Sequence, residues 1–240
     1  MLITKKFVAK SQNNDSTPAV TLAFLGDSVT EGCFELSERT DKGISNCRDR
    51  QHVYHTYLQQ ILSVLYPDVP VNIINAGVAG KNAQHGLERL ERDVLSHRPD
   101  LTVVCFGLND CGAGEDGIDQ YTTALGQIFD QLTASGSEII FMTPNMMATH
   151  VSPFEKVPLL REIAETVALR QNNGTLDRYL NAAKDLCRSR SIPVCDCYEK
   201  WKLLQKNGVD TTELLANKIN HPARQLHWLF AAALVETMMR

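Results

Sequence analysis

Apolar residues along this chain fall into short runs separated by longer stretches in which they recur every three or four positions. The runs at 20–25, 71–75, 101–106, 138–143 and 192–195 are short and rich in Val, Ile, Leu or Phe. That pattern predicts strands buried on both faces, as in a parallel sheet covered by helices. Helical period marks 53–65, 83–96, 118–134 and 159–190, the last with a break expected near Asn172-Asn173-Gly174. A final helix is expected over 223–238, where Leu226, Leu229, Phe230, Ala233 and Leu234 stand at helical spacing. Each crossover is long enough for a right-handed strand-helix-strand unit. No repeat, low-complexity tract or linker interrupts the alternation, so a single domain over 1–240 is expected. Two long irregular segments, 33–50 and 144–158, follow strand ends on the presumed ligand face and are candidate substrate loops.

The chemistry sits where the runs end. Gly26-Asp27-Ser28-Val29-Thr30 closes the first run and puts a serine at the carboxyl end of a strand, where a parallel sheet opens to ligand and the amides of the next turn point outward. Asn75-Ala76-Gly77-Val78-Ala79-Gly80 follows the second run and Gly107-Leu108-Asn109-Asp110 the third, while Asn220-His221-Pro222 lies in a late loop. These four blocks, in this order and across nearly the whole chain, resemble those of the SGNH hydrolases, the GDSL-type esterase and lipase superfamily. The resemblance implies an α/β fold, a flavodoxin-like three-layer α/β/α sandwich with a five-stranded parallel sheet, and a serine esterase. One residue departs from the pattern: the family usually carries an Asp three positions before the His, and here that position is Lys218.

A serine hydroxyl is unreactive until a base takes its proton, so Ser28 needs an imidazole within reach, and His221 is the candidate. Acyl transfer also needs donors aimed at the developing oxyanion. The Ser28 N–H is one; the resemblance adds the Gly80 N–H and the Asn109 side-chain amide, with Gly77 as the alternative to Gly80 and a strand-ending turn as its simpler role. Asp27 and Asp110 read as turn and loop orienters. What orients His221 in place of an Asp is open among three expectations: a backbone carbonyl in the 217–220 loop, making a Ser–His dyad; the side chain of Asn217 or Asn220; or a carboxylate after the fifth strand, Asp196 or Glu199. The dyad is favoured, because a neutral acceptor still fixes the tautomer. A nearby Lys218 would lower the proton affinity of the histidine.

Composition narrows the partners. Lys and Arg number 24 against 28 Asp and Glu, a net charge of −4 with both signs interspersed, and no basic stripe suggests nucleic acid. Residues 1–10 carry lysines without an apolar stretch of signal-peptide length, and nowhere do about 18 apolar residues run together, so a cytoplasmic protein that does not enter a membrane is expected. Seven cysteines, an odd count, read as reduced thiols, and Cys195 and Cys197 lack a second Cys or His pair to complete a metal shell. No metal or redox cofactor is expected. His52, His55, His85, His97 and His227 read as exposed or partly packed, and His150 lies in a candidate substrate loop. Polar residues over 39–51 and the lack of an apolar lid-like helix favour a short acyl group, acetyl above all, on a polar alcohol such as a carbohydrate. Short-chain lipid or thioester hydrolysis is the alternative, and a catalytically silent carbohydrate-binding module is the alternative from another class.

Overall fold

The computed structural model describes residues 1–39 and 43–240; residues 40–42, inside the candidate loop 33–50, lie outside the described residues. Five parallel strands form the central sheet: β1 (Val20–Gly26), β4 (Val71–Gly77), β5 (Leu101–Cys105), β6 (Glu138–Thr143) and β7 (Val194–Asp196), in the order β4-β1-β5-β6-β7. β5 is buried along its whole length, whereas β4, at the edge, is half-exposed and keeps polar Asn72 and Asn75. The order reverses at β1, which pairs with β4 on one side and β5 on the other. A doubly wound sheet opens a crevice at the carboxyl ends of strands flanking such a reversal.

Among the described residues, the α-helices around the sheet are α1 (Leu2–Gln12), α2 (Ser28–Glu31), α3 (Tyr54–Leu65), α4 (Ala83–Glu88), α5 (Leu90–Asp93), α6 (Ile118–Ser135), α7 (Pro158–Asn172), α8 (Thr175–Ser189), α9 (Cys197–Lys206) and α10 (His227–Met238). Right-handed crossovers put α3, which leads from β1 out to β4, on the opposite face from α4, α6 and α8, which lead back across the sheet. Accordingly α3 packs on α10, and α6 packs between α4 and α8. The core between the layers is apolar and continuous, from Phe24 and Phe141 in the sheet to Phe129, Tyr179 and Phe230 in the helices.

Several elements differ from the sequence expectation. The helix expected over 83–96 is two short helices parted at Arg89, whose guanidinium turns inward to the carbonyls of Gly26 (2.8 Å) and Ala76 (2.6 Å). The break in 159–190 falls at Asn173 and Gly174, the latter with φ +75°. Three elements were not anticipated: α1, α9, and an antiparallel hairpin of β2 (Cys33–Glu38) and β3 (Ile44–Arg48) that occupies most of the candidate loop 33–50. Helix α1 lies at the amino-terminal ends of the strands, its first amides donating to Glu138 and its Lys6 pairing with Asp100. Among the described residues, no helix is long and apolar enough to cross a membrane.

Candidate active site

Close backbone approach places Ser28. A Cβ on Gly26 would fall 2.1 Å from Thr30 Oγ1, and one on Gly77 would fall 2.1 Å from the Glu31 nitrogen, so both glycines are needed for α2 to sit against the ends of β1 and β4. Asp27 caps α2 by accepting the Val29 N–H (3.0 Å), and burial, with Asp110 adding to it, pushes its carboxyl up to about 7. Ser28, the first residue of α2, is thereby fixed at the crevice with its side chain turned to His221.

The two side chains meet: Ser28 Oγ is 2.9 Å from His221 Nε2, and His221 Nδ1 is 2.9 Å from the carbonyl oxygen of Phe34. A carbonyl can only accept, so Nδ1 carries the proton and Nε2 presents its lone pair to the serine hydroxyl. Burial holds the His221 imidazole down at about 4, against a smaller upward pull from the Phe34 carbonyl and the Glu31 and Glu35 carboxylates. The ring is therefore neutral across the physiological range and able to accept a proton at Nε2.

The orienting carbonyl comes from β2 and not from the 217–220 loop. The hairpin register shifts between Cys33 and Leu36, which takes Phe34 out of the ladder and leaves its carbonyl available. Arg224 locks this segment: it grips both carboxylate oxygens of Glu35 (2.5 and 3.0 Å), bonds Asp49 (2.9 Å) and stacks 4.3 Å from the Phe34 ring centroid. None of the four side chains weighed as orienters holds the ring. Asn217 instead gathers the loop, its Oδ1 accepting the N–H groups of Ile219, Asn220 and His221, and its Nδ2 donates to Asn220 Oδ1. Asp196 caps α9, accepting from Glu199 N–H, Thr143 and Lys184, while Glu199 pairs with Lys202. Lys218, at φ +55°, points to Glu213, donating to its carbonyl (2.7 Å) and pairing with its carboxylate (3.0 Å). Its charge is thus neutralised by Glu213 and not spent on the imidazole.

Gly80 and Asn109 line the same cleft as Ser28 and His221, a space of about 360 Å³. Gly80 has φ +72° and open space where a Cβ would stand; Gly77, by contrast, is consumed by packing. The Asn109 amide donates one N–H to the Lys81 carbonyl (2.9 Å), which fixes its plane and leaves the second for a ligand. Asp110 accepts from the N–H groups of Gly107 and Ala83 (both 2.9 Å), tying the third block to α4, and burial pushes its carboxyl up to about 6.

Several contributors escaped the sequence reading. Glu31, at the end of α2, accepts the Ala79 N–H (2.7 Å) and the Arg48 guanidinium (2.5 Å), tying the Gly80 loop and the hairpin to the helix that carries Ser28. Asn145 donates to the Asn220 carbonyl (2.8 Å) and steadies the histidine loop. Neither the tertiary contacts of Glu31 nor a main-chain acceptor leaves a signal in the sequence. His55 and His227, expected to be exposed or partly packed, are buried, because each finds a main-chain partner: His55 Nε2 donates to the Thr30 carbonyl (3.1 Å) and His227 Nδ1 accepts the Tyr54 N–H (3.1 Å). All seven cysteines are free, with Cys195 Sγ 3.7 Å from Cys197 Sγ. Among the described residues, one group could hold a metal ion: His150, Asp210 and Glu213, with ligand atoms within 4.8 Å of one another, away from the cleft and with Glu213 already paired to Lys218.

The sequence profile of the GDSL-like lipase/acylhydrolase family matches residues 24–229. The chain belongs to this family. An acetylxylan esterase of Geobacillus stearothermophilus is 25% identical over 132 residues, a match spanning 51% of this chain and 58% of that relative, less than two thirds of its length. Among solved structures, Axe2, an acetylxylan esterase from the same organism, is similar at TM-score 0.66 and 20% identity over 91% of this chain and 94% of that one. An acetyl xylan esterase, AlAXEase, gives 0.67 at 19% over 90% and 98%. A two-domain esterase, CEX, active on acetylated mannans, gives 0.68 at 19% over 100% of this chain and 53% of its own. At such identities the likeness is one of fold, and it is the five-stranded SGNH hydrolase fold.

Proposed function

We propose that this esterase removes short acyl groups, acetyl first, from a carbohydrate or similar polar alcohol through a Ser28 acyl-enzyme. The observation that carries the reading is the Phe34 carbonyl on His221 Nδ1, which leaves Nε2 free to accept the Ser28 proton. As Oγ attacks the ester carbonyl, Nε2 takes the proton; the oxyanion forms beside the Ser28 N–H, the Gly80 N–H and the Asn109 amide. His221 then protonates the leaving alcohol, and water repeats the sequence to release the acid. The relatives named as acetylxylan and acetylmannan esterases support the acetyl-carbohydrate substrate, as does a cleft roomy enough for a sugar ring.

The case for a silent binding module rested on Lys218, and the Lys218–Glu213 pair removes that basis. Hydrolysis of p-nitrophenyl acetate, butyrate and octanoate by the wild type, Ser28→Ala and His221→Ala, each checked for folding, tests the reading. Turnover should fall with chain length and drop by about 10³-fold or more in either variant. Full activity in folded Ser28→Ala would refute the acyl-enzyme, and a preference for octanoate would move the substrate to lipids.

A further inference from the structure

Several charged side chains near Ser28 and His221 are paired: Glu31 with Arg48, and Glu35 and Asp49 with Arg224. Arg170 is different. It stands on α7 one helical turn after Val167 and two after Ile163, so the face that α7 turns to the cleft is aliphatic with one guanidinium. Its Nη1 lies 3.6 Å from where a Cβ on Gly112 would stand, in the turn that begins immediately after Asn109. The charge is thus on the Asn109 side of the cleft. Among the described residues, no carboxylate, carbonyl or hydroxyl bonds it, and it is the one charged side chain lining the cleft.

A guanidinium half-withdrawn from water between aliphatic side chains, with no partner, is half of an ion pair. In a cleft with low-dielectric walls it draws anions, and its planar fork matches a carboxylate with two parallel hydrogen bonds. A phosphate dianion would call for more positive charge than a single lining cation supplies. We propose that Arg170 is a specificity-determining residue that receives a carboxylate on the substrate, so that the preferred substrates are O-acetylated acidic sugars. This deepens the acetylesterase reading and rests on it.

The test measures acetate release from mono-O-acetylated methyl glycosides of galacturonic and glucuronic acid, each beside its neutral carboxamide. The wild type should favour the acid over the amide in kcat/KM by roughly 10- to 100-fold for at least one sugar, as expected for a charge-assisted pair. Arg170→Gln should bring that ratio close to one, and Arg170→Lys should keep part of it. Equal rates on acid and amide, or a preference that Arg170→Gln retains, would overturn the proposal, as would tighter binding of acetylated sugar phosphates than of the uronates. Titration of the same compounds into Ser28→Ala reads the carboxylate preference without turnover. Carboxylate-selective binding with no esterase activity in the wild type would sink the Ser28 reading alone, whereas turnover without carboxylate preference would sink the role of Arg170 alone.

Discussion

With Nδ1 donating to a neutral carbonyl, His221 is held in one tautomer but gains little stabilisation of the imidazolium it must become. Its depressed proton affinity makes a signed prediction: kcat/KM should stay on a plateau through neutral pH and fall only as acidification protonates the base near pH 4. A midpoint near the ordinary histidine value would mean that the ring is solvated or charge-paired in solution. Lys218 invites a second test. Because its ammonium is held by Glu213, Lys218→Asn, which tolerates a positive φ, should leave kcat within about twofold; a tenfold change would put the lysine in the mechanism. At this scale the sequence disclosed side chains and hid main chain. Ser28, Gly80, Asn109 and His221 carry a recognisable spacing, but any residue type could have supplied the carbonyl of Phe34.

The hairpin of β2 and β3 is the element on which the base depends, since it carries the orienting carbonyl and is fastened by two arginines, Arg224 to Glu35 and Arg48 to Glu31. Arg224→Gln should lower kcat by about tenfold while the far-UV spectrum stays native, because the base would lose its alignment without loss of the core. An unchanged kcat would show that the register of β2 alone holds the carbonyl in place. The five core strands were legible because burial on both faces forces apolar runs on them. The hairpin was not, because β3 is polar and largely exposed and β2 buries only its opening residues, Cys33 and Phe34, too short a run to read as a strand. Helix α1 was overlooked although Ile3, Phe7 and Lys10 are its buried positions, because lysines dominate so short a segment and the third of these is itself a lysine, whose ammonium finds main-chain carbonyls.

Across the whole molecule, buried titratable groups pull stability in opposite directions. Burial depresses His55 and His221 to about 4 and His227 to about 3, so the stability these neutral rings allow is full above pH 6.5 and is lost as pH falls toward 4. Asp27 and Asp110, raised to about 7 and about 6, act the other way: their contribution is full below pH 4 and is lost as pH rises through those values. Near pH 5 the unfolded chain holds three imidazole protons that the native state lacks, and the native state holds two carboxyl protons that the unfolded chain has lost. Stability should therefore fall on acidification by about 1.4 kcal/mol per pH unit, the worth of one proton. Denaturant titrations between pH 4.5 and 6 should show that slope vanish in His227→Gln and double in Asp27→Asn; an unchanged slope in both would mean that these groups are solvated in the native state.

The contact between Ser28 and His221 joins residues 193 apart, one directly after β1 and the other shortly before α10. The strand that leads to Ser28 and the loop of His221 therefore meet only through long-range packing, in which α10 docks on α3. Acylation of Ser28 by a fluorophosphonate should consequently report, during refolding, when that long-range docking is complete.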